Sequence, residues 1–328
     1  MNLLGSLKYL VALDEHRHFG RAAQACYITQ PALSNALRAM EKEFGCAIVL
    51  RGRAYVGLTP EGQRVVASAR RMLHEHERLR QDLDSGADDP RGALKIGCIP
   101  TAMPIAARFA AWLQARHSGI TPAVLSLSSP EIEAGLENLS LDLGLGYTDR
   151  LRALGLHLRV VPQYTEHYFL VRRSDTPQAA QMPFGPAMTW AEAARLPLCL
   201  LTPDMHNRTL VDGAFAAAGV VVRPVMETNS IITLALSAAN GAVCSIMPGA
   251  LVAAFRSLAA LEALPLMRPE IRTPVGFMVQ ASDQPSRTLV AALTLAQDAT
   301  WLGQVAANSG ALGPIDGLSR SESPTFRV

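Results

Sequence analysis

Residues 59–86 read as one long helix, and no other stretch constrains the chain so strongly. Thr59 is an N-cap candidate, with Pro60 and Glu61 suited to the first turn. Val65, Ala69, Met72, His76, Leu79 and Leu83 then follow at alternating steps of four and three. That spacing is an a/d seam over nearly three heptads. A lone helix cannot bury such a stripe. Its partner is either its own domain or a second copy of the chain. No other apolar partner lies close in sequence, which favours the second copy. His76 reads as a polar seam residue that sets register. His74 and His76, two apart, point to different faces and cannot jointly hold a metal. No metal is expected.

The helix also divides the chain. A head spans 1–58, the helix and its hinge 59–92, and a large body 93–306. The Gly/Ser/Pro-rich stretch 307–328 reads as a flexible tail. Over the whole chain 30 Lys and Arg face 28 Asp and Glu, a net charge of +2. That excludes a uniformly basic coat for nucleic acid, but the average hides a pattern. Up to Met72 there are ten basic and five acidic residues, and 73–89 holds two Arg and six acids.

Within the basic head, Leu3, Leu7, Leu10 and Leu13 form one apolar helical face. A second short helix over Arg21–Cys26 has small residues that allow close approach. After a turn at Tyr27 and Ile28, Thr29 caps a third helix with Pro31 in its first turn. Leu33, Leu37, Met40 and Phe44 make its buried stripe. Gln30, Ser34, Asn35 and Arg38 lie on the opposite face. Amides pair with adenine edges, and Ser or Arg reach bases or phosphates. The same residues also fit plain helix capping. Two short strands follow around a basic turn holding Arg51 and Arg53, a wing placed to straddle phosphates.

Four motifs occur in order: Phe19 with Arg21-Ala22-Ala23, Thr29-Gln30-Pro31-Ala32-Leu33-Ser34, Glu41 to Gly45, and Leu58-Thr59-Pro60-Glu61-Gly62. Together they resemble the N-terminal signature of LysR-type transcriptional regulators. The resemblance implies a mixed α/β chain with three parts. These are an N-terminal, all-α winged helix-turn-helix, a long dimerisation linker helix and a C-terminal two-lobed α/β effector-binding domain. It implies that Gln30, Pro31, Ser34 and Asn35 face the groove of double-stranded promoter DNA and that Arg51 or Arg53 touches its backbone. It also implies a cytoplasmic homodimer or homotetramer, with RNA polymerase a further partner. His18 and Gly20 stand where the family has Ser and Thr, and Asn35 where Arg is frequent.

In the body, short apolar runs alternate with helical stretches, the pattern of parallel sheets covered by helices. Strands are expected at 93–99, 123–127, 141–146, 168–171, 197–201, 219–225, 242–247 and 274–280. Helices are expected at 102–115, 130–139 and 285 to about 305. The pattern breaks near Pro162. That divides lobe I (about 93–162 and 270–306) from lobe II (about 163–269), with a cleft between them. The resemblance implies the same periplasmic-binding-protein-like fold. Ligands in such sheets sit at strand C-terminal ends, against helix N-termini. That rule selects Thr101, Ser128, Ser129, Thr202 and Ser230, each of whose hydroxyls also suits an N-cap, with Tyr147 and Thr148 nearby as further candidates. Thr101 matches the family's effector-contacting Ser/Thr. Hydroxyls and amides suit a small anion or carboxylate, and a resemblance to relatives tied to formate metabolism suggests formate-type small acids.

Other classes lose ground. Residues 228–255 hold no charge, but Asn240-Gly241 and Pro248-Gly249 cut them into a buried helix–strand–helix rather than a membrane span. No G-x-S-x-G, H-E-x-x-H or phosphate-loop motif argues for an enzyme, and no cofactor is expected. Five scattered cysteines without a C-x-x-C pair argue against a disulfide framework or zinc cluster. Peroxide-sensing relatives carry paired cysteines around the segment matching 206–215, where this chain has none. The alternative is a stand-alone binding or redox-sensing protein built on the two lobes. The head discriminates against it.

Overall fold

The computed structural model describes residues 2–310, except 53–54, 87–88, 154, 156–157, 175–180 and 282–283. Arg53 and the tail beyond residue 310 lie outside the described residues.

The head packs α1 (Leu3–His16), α2 (Phe19–Ala25) and α3 (Gln30–Phe44) beside the antiparallel hairpin of β1 (Val49–Arg51) and β2 (Tyr55–Leu58). Leu10, Leu13, Ala22, Leu33, Leu37 and Met40 are its fully buried centre. Each helix start has a side-chain acceptor: Asn2 for α1, His18 for α2, Thr29 for α3. His18 thus fills a capping role with Nδ1, which accepts from the amides of Gly20 and Arg21 at 3.0 and 3.2 Å. Gly45 ends α3 at φ +66°, where glycine avoids the side-chain penalty. Phe44 does not complete the buried stripe. It is half-exposed at the rim of a groove shared with Leu3, Val65 and Met72.

The helix α4 (Pro60–Asp84) leaves the head and is anchored at both ends. At its start Thr59 accepts from the Gly62 amide at 2.9 Å and donates to Ala47 O at 2.7 Å. A Cβ on Gly62 would stand 2.1 Å from the Ile48 carbonyl oxygen. Gly62→Ala should therefore cost the head about 1–3 kcal/mol through forced separation of helix and wing. Denaturant unfolding checks this, and an unchanged midpoint would contradict it. Midway, Arg70 holds Asp14 and Glu15 of α1, each at 3.0 Å. Near its end Gln81 is buried; it donates to Ala93 O at 3.3 Å and accepts from the Thr288 hydroxyl at 3.2 Å.

Lobe I follows: β3 (Gly92–Cys98), a single 3₁₀ turn, α5 (Met103–Arg116), β4 (Ile120–Ser126), α6 (Ser129–Glu137), β5 (Leu143–Tyr147), α7 (Arg150–Ala153) and β6 (Leu158–Glu166). Lobe II holds β7 (Tyr168–Arg173), β8 (Met188–Thr189), α8 (Trp190–Ala193), β9 (Leu198–Leu201) and α9 (His206–Ala217). It continues with β10 (Met226–Thr228), α10 (Ile231–Ala239), β11 (Cys244–Pro248), α11 (Gly249–Ala254) and β12 (Leu261–Met267). The chain returns to lobe I with β13 (Thr273–Gln280), α12 (Arg287–Ala296) and α13 (Ala299–Asn308). The lobe I sheet runs β4-β3-β5-β13-β6 and the lobe II sheet β10-β9-β11-β7-β12-β8. Parallel strands fill one half of each, and β13 and β7 run antiparallel to their neighbours.

Three sequence expectations shift. The first crossover is at 166–168, not near Pro162, because Pro162 sits inside β6. β6 is an edge strand, where a missing N–H is tolerated. The strand expected at 219–225 is instead β10 at Met226–Thr228. The helix expected from 285 breaks in two, because Asp298 caps a new helix by accepting from the amides of Thr300 and Trp301. The uncharged stretch 228–255 folds as α10, β11 and α11, and no helix of the described residues is long and apolar enough to cross a membrane.

Candidate functional site

Two surfaces carry the chemistry. On α3, Leu33, Leu37 and Met40 face inward, while Gln30, Pro31, Asn35 and Arg38 are exposed and Ser34 is half-exposed. Thr29 is spent on capping, accepting from the Ala32 amide at 3.3 Å. Glu41 ties the far end of α3 to the wing by accepting from the amides of Ile48 and Val49 at 2.9 and 3.0 Å. One polar face is thus presented by a helix that is fixed at both ends. Arg51 ends β1 at the wing tip.

The second surface is the cleft between the lobes. Thr101, Ser128, Ser129 and Tyr147 line it from lobe I, and Leu201, Met205, His206 and Asn207 from lobe II. It encloses about 10 Å³, room for roughly one water. The Thr101 hydroxyl lies 3.2 Å from Tyr147 Oη, and Asn207 Nδ2 donates to that same oxygen at 3.1 Å. This last bond joins the two lobes directly. Tyr147 in turn donates to Glu166 Oε2 at 3.1 Å, and Tyr164 donates to Oε1 at 3.3 Å.

The six hydroxyl residues selected from the sequence separate here. Thr101, Ser129 and Tyr147 converge on the cleft. Ser128 lines it too, but its hydroxyl donates to Glu131 at 2.7 Å in a capping box. Thr202 sits in the loop after β9 with Oγ1 buried and unpartnered. Ser230 caps α10 through the Thr233 amide and is not among the described residues lining the cleft. Sequence reading overlooked His206 and Asn207, which begin α9 just beyond the strand end that selected Thr202. Burial and the Arg150 guanidinium hold His206 below its ordinary pKa, so it is neutral near pH 7. Ser129 Oγ and His206 Nε2 are, like Thr202 Oγ1, buried without a partner.

A model of the LysR substrate binding domain matches residues 87–301, and one of the bacterial regulatory helix-turn-helix protein, lysR family, matches residues 4–63. The chain belongs to the LysR family. It is a LysR-type transcriptional regulator with an effector-binding domain. This regulator is 28% identical over 273 residues to the DNA-binding transcriptional dual regulator OxyR of Escherichia coli (strain K12). The match spans 83% of this chain and 87% of that one. Among solved structures, a full-length OxyR variant from Pseudomonas aeruginosa shares its fold at TM-score 0.63 and 23% identity. That match covers 89% of this chain and 96% of the other. Full-length CbnR in complex with its target DNA aligns at TM-score 0.60 and 19% identity, over 92% and 99% of the two chains. In this LysR regulator the described cysteines are all free thiols. Cys98, Cys199 and Cys244 are buried, and burial raises the pKa of Cys98 and Cys244.

Proposed function

We propose that this regulator reads promoter DNA as a dimer through Gln30, Ser34, Asn35 and Arg38, under control of a small oxygen-bearing acid held in the cleft. The observation carrying the DNA part is the division of α3 into a core face and a polar face at its N-terminal end. That is the face a recognition helix presents to the major groove. Arg51 and Arg53 are the wing's phosphate contacts in this reading. A salt-sensitive, sequence-selective shift of DNA upstream of the gene tests it; binding indifferent to sequence would refute it.

The dimer part rests on α4. Val65 and Ala69 pack on the head, whereas Met72, Leu79 and Leu83 are 52, 57 and 76% exposed, with His76 exposed beside them. Such a stripe calls for a second copy. The domains then divide as a DNA-binding head, a dimerising helix and hinge, and the two-lobed sensor.

The effector class follows from the cleft's donors. The start of α9 has no side-chain cap, so its amides and positive helix end favour an anionic oxygen. Ser129 and neutral His206, both lining the cleft, add polar atoms in want of partners. The cleft as it stands has room for about one water, so a ligand of few heavy atoms, such as formate, is the one that would require least opening. Thiol chemistry is disfavoured, because Cys98, Cys199 and Cys244 are buried and burial raises the pKa of Cys98 and Cys244. Sodium formate and other small acids should raise the melting temperature saturably over sodium chloride controls. Thr101→Val should weaken that response by about tenfold, the worth of one hydrogen bond, and leave ligand-free DNA binding unchanged. An unchanged titration would remove Thr101 from the site.

A further inference from the structure

We propose that closure of the two lobes is linked to a proton on Glu166, the carboxyl that joins the cleft floor to the first crossover. The inference rests on reading the cleft as one that opens and closes around an effector.

Glu166 is the last residue of β6, at the point where the chain leaves lobe I. It is fully buried, although a carboxylate is seldom buried without a charged partner. The groups facing it are uncharged. They are the Cys98 thiol from β3, Tyr147 from β5, Tyr164 from its own strand and Tyr168 from β7, with Thr273 opposite on β13. Burial raises the pKa of each of these tyrosines and of Cys98, so they keep their protons throughout the neutral range. At the second crossover Glu270 pairs with Arg272 Nη2 at 2.8 Å, and His167, whose pKa burial and Arg272 lower, has its Nδ1 3.7 Å from Glu270. Asp149, near the cleft, acts on Tyr168 and His206.

Glu166 therefore has two tyrosine donors and, among the described residues, no cation that holds its charge. Burial pushes its pKa up to about 7, against the lowering effect of Tyr147 and Tyr164. Parting the lobes would break the Asn207–Tyr147 bond and admit water along Tyr147. The carboxyl would then approach its ordinary range near 4.3. The raised pKa belongs to the closed state, so closure is fully favoured below the open-state value. It weakens as pH rises towards 7 and levels off above that. His206 works in the opposite direction at the acid end, since its lowered pKa opposes closure once it is charged. Removing Glu166 leaves that contribution in place.

The test is amide hydrogen exchange on the full-length protein between pH 5.5 and 7.5, corrected for intrinsic exchange, and it needs neither DNA nor effector. In the wild type, protection of segments 98–101, 144–147 and 202–208 should fall by roughly tenfold or more with rising pH. Glu166→Gln keeps the shape and should abolish that fall. A fall of equal size in Glu166→Gln, or no fall in the wild type, overturns the proposal. If Glu166→Gln does not fold, Tyr164→Phe, which leaves the Asn207–Tyr147 bond in place, serves instead. It removes a donor that steadies the ionised carboxylate, so the midpoint must move up in pH; an unmoved midpoint overturns the proposal too. A failed formate titration would count against the effector class alone, because this readout is independent of it.

Discussion

Replacing both Gln30 and Ser34 by alanine abolishes selective DNA binding and leaves the oligomer intact. This outcome is expected because neither side chain contributes to the head's buried centre, which Leu33, Leu37 and Met40 supply from the same helix. The α3 cap is Thr29 and the α3–wing tie is Glu41, so helix geometry survives the change. What is lost is hydrogen bonding to base edges. Each good base contact discriminates by about 1–3 kcal/mol, so losing two lowers selective affinity roughly a hundredfold or more. Competition between upstream DNA and random DNA measures the ratio, and sedimentation confirms the oligomer. Selectivity retained within about threefold would show that another face reads the bases. Arg38→Ala, a charge on the same face, should instead flatten the salt dependence.

The second large effect concerns the exposed half of α4. Leu79→Glu combined with Leu83→Glu should convert the protein to monomer at micromolar concentration. Both side chains are mostly exposed within one chain, so the fold itself loses little. In a two-fold seam each is buried twice, at about 1.5–3 kcal/mol per leucine, and the new glutamates would be buried without cations. The dimer should weaken by at least about a thousandfold. Sedimentation velocity reads this directly, and an unchanged sedimentation coefficient would dismiss the seam. DNA affinity should fall with it, because two heads joined in one particle bind far more tightly than one.

What could be read from the sequence followed locality. The ends and buried stripe of α3 are visible because cap, proline, leucine spacing and terminal glycine are all near neighbours in the chain. By contrast, β6 escaped notice. Pro162 looks like a breaker until the sheet order shows it on an edge. The break between α12 and α13 escaped for a related reason, since the apolar period runs on through Gln297 and Asp298. In the cleft, the strand-end rule found Thr101 and Ser129, with Tyr147 nearby, but also Ser230, because β10 has the same ending without facing the cleft. His206 and Asn207 were within reach of that rule, one helix start beyond Thr202. Glu166 was not. A glutamate at a strand end reads as solvated, and only the packing of three tyrosines around it shows otherwise.

The double anchoring of α4 gives the molecule a lever arm. Gln81 is gripped by Ala93 and Thr288 of lobe I, and some eleven residues earlier Arg70 grips α1 of the head. A helix of 25 residues is about 37 Å long. A tilt of about 5° imposed at the sensor end would sweep the far end through about 3 Å, close to the rise of one base pair. Small angular changes in a sensor lobe are thereby geared up to the spacing in which DNA is measured.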